Sequence, residues 1–199
     1  FIWLGTDNGL NRYDGQTVTQ YVRVYGDPES LSNNTVRCIT PCNDGSLWVG
    51  LANGMQRFCP RDDNFHSIEF PRDIRPNVTH IVNRRSGKDV VIGTSGYGLM
   101  LMPNDHSYKA REWEEVNEVV PCRYITHIME DSRGRLWVAS GDNSCYIYDP
   151  ATNNAWRALP EDATSEVNYI CEEHSGRILV VTHSAVFACS RTDSVCHSE

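Results

Sequence analysis

Phe1-Ile2-Trp3-Leu4-Gly5-Thr6 is the first of five similar phrases that return along the chain at a nearly constant interval. The other copies are Leu47-Trp48-Val49-Gly50, Val90-Val91-Ile92-Gly93-Thr94, Leu136-Trp137-Val138-Ala139 and Ile178-Leu179-Val180-Val181-Thr182. The steps between equivalent positions are 45, 43, 46 and 42 residues, measured at Trp3, Trp48, Val91, Trp137 and Leu179. A sustained period in the low forties, in apolar β-type sequence, predicts a β-propeller. The chemistry of such a scaffold comes from its loops rather than from its blades.

Each repeat contains the signals of four short antiparallel strands. An alternating strand opens four of the units, at residues 36–40, 78–82, 125–129 and 167–171. A glycine turn follows at the same offset, at Gly45, Gly87, Gly134 and Gly176. The Trp-type strand comes next, and a second turn and two further strands complete a propeller blade of about 44 residues.

The repeats predict an all-β fold in which one partial propeller of four-stranded antiparallel blades spans residues 1–199. We expect blade segments at about 1–30, 31–72, 73–118, 119–161 and 162–199. The first segment supplies only the second to fourth strands of its blade. Because a seven-bladed ring at this period needs roughly 310 residues, the chain is expected to be an excerpt of a larger ring.

No segment shows the 3.6-residue period of a helix. A cluster of carboxylates is therefore predicted to lie in a solvated linker. Its members are Glu112, Glu114, Glu115 and Glu118.

The composition allows a packed core but excludes some classes of partner. The chain has 199 residues, 40% of them hydrophobic, and a formal net charge of −8. An acidic surface repels phosphate backbones and anionic lipid, so we expect this chain to bind neither nucleic acid nor a membrane surface. The densest basic stretch, Arg72, Arg75, Arg84 and Arg85, is either solvated or in contact with an anionic ligand.

The eight cysteines form no recognisable motif. Cys38 and Cys42 would lie about 13 Å apart along an extended strand, beyond the reach of a disulfide. Cys189 and Cys196 flank a turn at residues 191–194, and a bridge between them is left open.

Two of the seven histidines, His80 and His127, occupy equivalent positions of inner strands that line the central channel. Sister repeats have Cys38 and Tyr169 at this position, which is not a set of metal ligands. We therefore expect packing or simple hydrogen bonding here, with no metal and no cofactor.

The opening repeat resembles the regulator-propeller repeat of bacterial sensor proteins. It runs Ile2-Trp3-Leu4-Gly5-Thr6-Asp7-Asn8-Gly9-Leu10-Asn11-Arg12-Tyr13-Asp14-Gly15. The stretch Asp27-Pro28-Glu29-Ser30-Leu31-Ser32-Asn33-Asn34-Thr35-Val36 is similar to the linker that precedes the inner strand of such repeats. The resemblance is strong over residues 1–58 and 125–150, and it fades over 78–101 and 167–196, where the tryptophan is lost. WD-repeat propellers are disfavoured because no Trp-Asp dipeptide ends a blade.

The resemblance points to the periplasmic sensor region of hybrid two-component histidine kinases from gut Bacteroidetes. Proteins of this kind carry two large propellers and a β-sandwich outside the inner membrane, and kinase, receiver and DNA-binding modules inside. They sense oligosaccharides released from complex glycans and switch on the matching utilisation genes. The resemblance thus implies that this chain is a non-catalytic ligand-sensing fragment. Its implied partners are an oligosaccharide and the remaining blades and domains of the parent sensor, and a homodimer stays open.

Ligand contacts in propellers come mostly from the loops of one face. The turns between the second and third strands supply the candidates Asp7, Asn8, Asn53, Tyr97, Asp142 and Asn143. The connections to the next inner strand supply Tyr25, Arg72, Arg75 and Arg123. Tyr97, held between two glycines, is the best candidate to stack on a sugar ring. Trp3, Trp48 and Trp137 recur at the repeat spacing and are predicted to pack between blades.

A propeller enzyme, such as a polysaccharide or oligogalacturonide lyase, is the alternative function. An enzyme should gather acids, histidines or arginines in the loops of one blade, whereas here these residues are scattered along the chain. We therefore expect no catalytic residues and favour the sensor.

Overall fold

The computed structural model describes residues 1–160, 163–190 and 196–198, and their strands form five antiparallel sheets. The first sheet has three strands, β1 Ile2–Thr6, β2 Gly9–Tyr13 and β3 Val18–Tyr21. The second has four, β4 Val36–Pro41, β5 Leu47–Leu51, β6 Gly54–Cys59 and β7 Asn64–Ser67. The third contains β8 Asn77–Asn83, β9 Asp89–Ser95, β10 Leu99–Pro103 and β11 Arg111–Glu112.

The last two sheets repeat this order. The fourth contains β12 Ile125–Glu130, β13 Leu136–Ser140, β14 Cys145–Asp149 and β15 Asn154–Arg157. The fifth contains β16 Val167–Glu172, β17 Ile178–Thr182, β18 Val186–Cys189 and β19 His197–Ser198. Strands adjacent in sequence pair within each sheet, and the inner strands of successive sheets adjoin. The chain is a partial β-propeller, as its repeats predicted.

The repeat anchors occupy one register position in the blades. Trp48 lies opposite Thr40 on the first strand and Arg57 on the third. Trp137 lies opposite Met129 and Ile147 in the same way. The period read from the sequence is therefore a period of strand pairing, and the prediction that these tryptophans are equivalent is confirmed.

The apolar cores lie between blades rather than within them. Leu47, Val49 and Leu51 of β5 pack toward the first blade, and Trp48 of the same strand packs toward the third. The second strand of a blade is thus apolar on both faces, because neighbouring blades cover both sides of its sheet. This explains the continuous apolar phrases that mark the repeat.

A close contact joins each of the first three blades to the next. A Cβ atom added to Gly5 would lie 2.6 Å from Val36 Cγ1, and one added to Gly93 would lie 2.7 Å from Ile125 Cγ2. At Gly50 it would lie 2.9 Å from Val78 Cγ1 and would also meet Cys38 Sγ. A residue at the start of the next inner strand, Val36, Val78 or Ile125, therefore occupies the space above each glycine.

One short helix departs from the expected linker. α1 spans Glu114–Val119, and a 3-10 turn spans Pro71–Asp73. Val116 and Val120 are buried against the core between the third and fourth blades, while Asn117 accepts the Leu99 N–H (2.9 Å) and donates to the Leu99 carbonyl (2.8 Å). The expectation that this segment contains no helix is wrong, because these long-range contacts stabilise a helix too short to show a period.

The carboxylates of the cluster remain at the surface, where Glu112 forms an ion pair with Arg72 (3.6 Å). Within the described residues, no helix has the length and the apolar character needed to cross a bilayer.

Cys38 and Cys42 are separate thiols, in agreement with the distance argument. Burial raises the pKa of the Cys38 thiol to about 12, so it packs as a small apolar group. Cys189 and Cys196 both contribute to the core between the last two blades. The turn predicted between them, at 191–194, lies outside the described residues.

The inter-blade contact at Gly50 can be tested by adding one methyl group. We expect Gly50→Ala to lower the free energy of unfolding by about 1–3 kcal/mol, because the added Cβ overlaps both Cys38 of its own blade and Val78 of the next blade. Gly141→Ala is the matched control, since its Cβ would meet nothing nearer than 3.8 Å. Denaturant titration should show almost no loss for the control, and equal losses for both variants would contradict the contact.

The packing role of the tryptophans predicts a second difference. Trp48 is 2% exposed and Tyr97 is 42% exposed. Trp48→Ala should therefore cost about 3–5 kcal/mol as a core truncation, and Tyr97→Ala less than about 1 kcal/mol. Similar shifts of the two chemical-denaturation midpoints would show that one residue is misplaced.

Candidate functional site

Two sets of loops meet on one face of the propeller, which we call the loop face. They are the turns between the second and third strands and the connections from one blade to the next. Backbone hydrogen bonds join them. Gly96 N–H and Gly98 N–H of the third-blade turn donate to the Arg123 carbonyl (2.7 and 3.1 Å), and Gly141 N–H donates to the Tyr124 carbonyl (2.8 Å). These bonds fix the loops relative to the inner strands.

Two adjoining cavities of about 450 and 670 Å³ form a groove on the loop face, across the first three blades. Ser32, Ser67 and Arg75 line both cavities, so the two lie side by side. Asn53 lines the smaller cavity, and Tyr25 lines the larger one. We refer to these cavities together as the loop-face groove.

The buried side-chain amide of Gln56 forms hydrogen bonds to the segments that line the groove. Gln56 of β6 is 1% exposed. Its Oε1 accepts the Ser32 N–H (2.8 Å), and its Nε2 donates to the Ser30 carbonyl and to Ser67 Oγ (both 3.3 Å). One side chain of the second blade thereby fixes both the incoming connection and the end of β7.

The connection from the first to the second blade is folded by local bonds. Asp27 N–H donates to the Val24 carbonyl (3.3 Å), and Gly26 adopts a φ of 84° that suits the third position of this turn. Ser30 Oγ accepts the Val24 N–H (3.0 Å). Tyr25 stands at the tip with 96% of its surface exposed. An aromatic ring is thus presented to solvent from an ordered turn.

Three of the predicted contact residues, Tyr25, Asn53 and Arg75, come together in the groove. Asn53 Oδ1 is buried without a hydrogen-bond partner among the described residues. Arg72 does not join them, because its guanidinium lies 3.6 Å from Glu112 on the neighbouring surface.

A second group lies over the third and fourth blades. Tyr97 is 42% exposed, and its turn bonds to the backbone of Arg123. Tyr124, 62% exposed, follows directly and pairs with Ser95. The structure therefore places Tyr97 and Arg123 beside each other, with a second exposed tyrosine that the sequence analysis did not single out.

Asp142 and Asn143 are occupied by structural contacts. Asp142 Oδ1 accepts the Ser144 hydroxyl (2.6 Å) and N–H (3.2 Å). Burial alone would raise the pKa of Asp142, but the hydrogen bonds from Ser144 and Ser140 lower it. Asn143 has a φ of 66° and donates to the Thr164 carbonyl (2.7 Å).

The first-blade candidates are also engaged. Asp7 lies 3.8 Å from Arg37 in an exposed ion pair. Asn8 is exposed, and its carbonyl accepts Gln20 Nε2 (2.8 Å). Of the ten candidates, three lie in the groove, two lie in a tyrosine-bearing patch, four lie in turns whose polar groups already have partners, and Arg72 is paired with Glu112.

Arg23, Gln56 and Tyr124 were not among the predicted candidates. Arg23 lines the larger cavity two residues before Tyr25, so its position beside that candidate was an available signal. Gln56 carried none, because its role depends on residues 24 and 11 positions away.

The channel histidines lie against each other. The ring centroids of His80 and His127 are 4.3 Å apart, and those of His127 and Tyr169 are 5.1 Å apart. Burial, and then the neighbouring His127, lower the pKa of His80 to about 4. Burial also lowers the pKa of His127. In the described ranges no group of three or more His, Cys, Asp or Glu is placed to hold a metal ion.

This fold and its loop face can be compared with known proteins. The family model described as two component regulator propeller matches residues 120–142, which confirms the resemblance to this repeat. No curated protein matches the chain.

Solved structures match over nearly the whole chain. The extracellular domain of the putative hybrid two component system BT4673 from B. thetaiotaomicron has a TM-score of 0.83 and 20% identity, and covers 99% of this chain and 29% of its own. The corresponding domain of BT3049, from the same organism, has a TM-score of 0.77 and 17% identity, with 99% and 27% covered. Virginiamycin B lyase from Staphylococcus aureus has a TM-score of 0.74 and 17% identity, with 99% and 65% covered. The chain thus spans less than a third of the two-component domains, and these similarities establish its fold.

The histidine pair predicts a loss of stability in acid. The folded pKa of His80, about 4, is below its ordinary value of 6.5, so between these values the unfolded chain binds the additional proton. The stabilisation is complete above about pH 6.5 and is lost as the pH falls toward 4. Because His80 is partly exposed, we expect this residue to account for only about 1–2 kcal/mol of the loss between pH 7 and 4.5.

Denaturant titrations at pH 7 and at about pH 4.5 give the free energy of unfolding at each pH. The decrease in this free energy between the two pH values should be smaller for His80→Gln than for the wild type. His174→Gln, in an exposed turn after β16, is the control and should keep the wild-type difference. An unchanged acid loss in His80→Gln would contradict this account.

Proposed function

We propose that this chain is a non-catalytic, ligand-sensing part of the periplasmic region of a hybrid two-component sensor. Its loop face binds an oligosaccharide derived from a complex glycan, and the parent protein controls carbohydrate-utilisation genes. The remaining blades and domains of the parent cover the open sides of the first and last blades. A homodimer of the parent would place two loop faces in one assembly.

The observation that carries the proposal is the ordered loop-face groove. Small-molecule sites are usually preformed concavities of about 300–1,000 Å³ with a few fixed polar groups. The groove has two cavities in this range, polar side chains at Asn53 and Arg75, and an exposed ring at Tyr25. Hydroxyl-rich ligands need such donors and acceptors, and an aromatic face packs against the C–H groups of a sugar ring.

Two comparisons support the assignment to a sensor. The repeat at residues 120–142 is of the two-component regulator type, and the similar BT4673 and BT3049 domains are extracellular parts of putative hybrid two-component systems. Their sequence identity is low, so ligand specificity does not carry over and is proposed from the groove alone.

A propeller-type lyase is the second candidate, and one observation favours it. Virginiamycin B lyase shares the fold over 99% of the chain. The two functions differ in what they require of a loop residue, since a lyase needs a base that abstracts a proton, whereas a sensor needs only contacts.

The proposal predicts binding without turnover. The isolated chain should bind members of a panel of plant and host glycan fragments weakly, with dissociation constants of about 1 mM, because it presents only part of the loop surface. NMR titration detects such binding, and chromatography of the same mixtures after prolonged incubation detects products.

Perturbed resonances should cluster in the loop-face groove or around Tyr97. Turnover that a single loop substitution abolishes would favour the lyase. No binding by any fragment would overturn the sensor proposal for this chain.

A further inference from the structure

Two arginines that line the larger cavity of the loop-face groove have no ionic partner among the described residues. The chain has 26 acidic and 18 basic residues, and eight of its arginines lie within 4 Å of a carboxylate. Arg23 and Arg75 do not. Among the described residues, neither guanidinium forms an ion pair or a hydrogen bond, although both line the 670 Å³ cavity. Two unpaired cations thus line one cavity of an acidic protein.

The nearby carboxylates leave these arginines available. Asp27 also lines the larger cavity, but its Oδ1 accepts the Glu29 N–H (2.9 Å) within its own turn. Glu69, in the smaller cavity, lies 3.4 Å from Lys109. Asp73 is exposed at the edge of the smaller cavity and makes no ion pair among the described residues.

We infer that the larger cavity binds an acidic sugar residue, through charge-assisted hydrogen bonds from Arg23 and Arg75 to a carboxylate or a sulfate group. This inference rests on the proposed function and specifies its ligand. Arginine presents paired N–H donors that match both anions. Tyr25 follows Arg23 by two residues and lies at the tip of the turn that Arg23 leads into. Its exposed ring is placed to cover the face of the sugar ring.

The frame of the site is built before any ligand arrives. Arg23 N–H donates to Asn34 Oδ1 (2.7 Å), which fixes the backbone that carries its guanidinium. Ser67, which also lines this cavity, is held by Gln56. A preorganised frame reduces the ordering cost of binding, and two exposed cations make the interaction sensitive to salt.

NMR titrations of the 199-residue chain with matched sugars test the inference. The probes are trigalacturonate, a neutral galactotriose, a sulfated galactose trisaccharide and inorganic sulfate. We expect one of the acidic sugars to bind at least about fivefold more tightly than galactotriose in 50 mM salt, and this preference to fall in 500 mM salt. Which acidic sugar binds more tightly identifies the anion.

The double variant Arg23→Gln/Arg75→Gln should lose the preference and bind acidic and neutral sugars alike. Both side chains are exposed, so the fold should be retained, and circular dichroism verifies this. Arg61→Gln is the control, because Arg61 is exposed and unpaired among the described residues but lies in the turn between β6 and β7, on the opposite face. Tyr25→Ala should weaken the binding of acidic and of neutral sugars by the same factor.

The outcomes separate the two proposals. Equal binding of neutral and acidic sugars, unchanged in the double variant, would overturn the acidic ligand and leave the sensor function standing. Binding of inorganic sulfate as tight as that of the sugars would show a simple anion site and overturn the sugar assignment. No binding of any sugar would overturn both proposals.

Discussion

The propeller depends on how closely each blade approaches the next at one position of its second strand. Gly5, Gly50 and Gly93 leave room there for a residue at the start of the following inner strand. None of these glycines has a positive φ, so the requirement is space rather than backbone conformation. Ala139 fills the equivalent position in the fourth blade and is fully buried, which shows that one methyl group is tolerated where the neighbouring side chains leave room for it. The apolar cores and the burial of Trp48 and Trp137 follow from this spacing.

A second set of contacts orients the blades at the end of each inner strand. The residues involved occupy one register position and reach back to the preceding blade: Asn83, Glu130 and Glu172. Asn83 bridges the Trp48 indole (3.0 Å) and the Pro41 carbonyl (2.8 Å), whereas Glu130 binds Arg84 (2.8 Å) and the Arg85 N–H (2.6 Å). Glu172 accepts the Ser132 N–H (2.8 Å). Directional polar bonds thus add orientation to a packing that is otherwise non-directional.

Structural features that recur in every blade could be predicted from the sequence, whereas features that occur only once could not. Strand order, register and the glycine turns recur in each blade, so five copies of one pattern reinforce one another. The helix at Glu114–Val119 occurs once and is stabilised by the bond between Asn117 and Leu99, 18 residues away. The candidates belong to loops that lie on one face, but sequence spacing could not show that Asp142 accepts hydrogen bonds from Ser144 while Arg75 forms no ion pair among the described residues. Side-chain engagement depends on the folded loops, which the period does not describe.

The groove lies where one position of the repeat carries a hydrogen-bonding side chain instead of an apolar one. One position of the third strand pairs with the residue that follows the repeat anchor on the second strand. In two blades this position is apolar, and its residues, Met100 and Phe187, are buried between sheets. In the second blade the equivalent residue is Gln56, opposite Val49, and its amide reaches outward to Ser32 and Ser67 instead of filling a core. A buried amide without partners would be costly, so this residue requires an ordered connection above it. A polar residue at this variable position therefore builds the frame on which Arg23, Tyr25 and Arg75 are displayed, and the uniform spacing of the blades lets that change remain local.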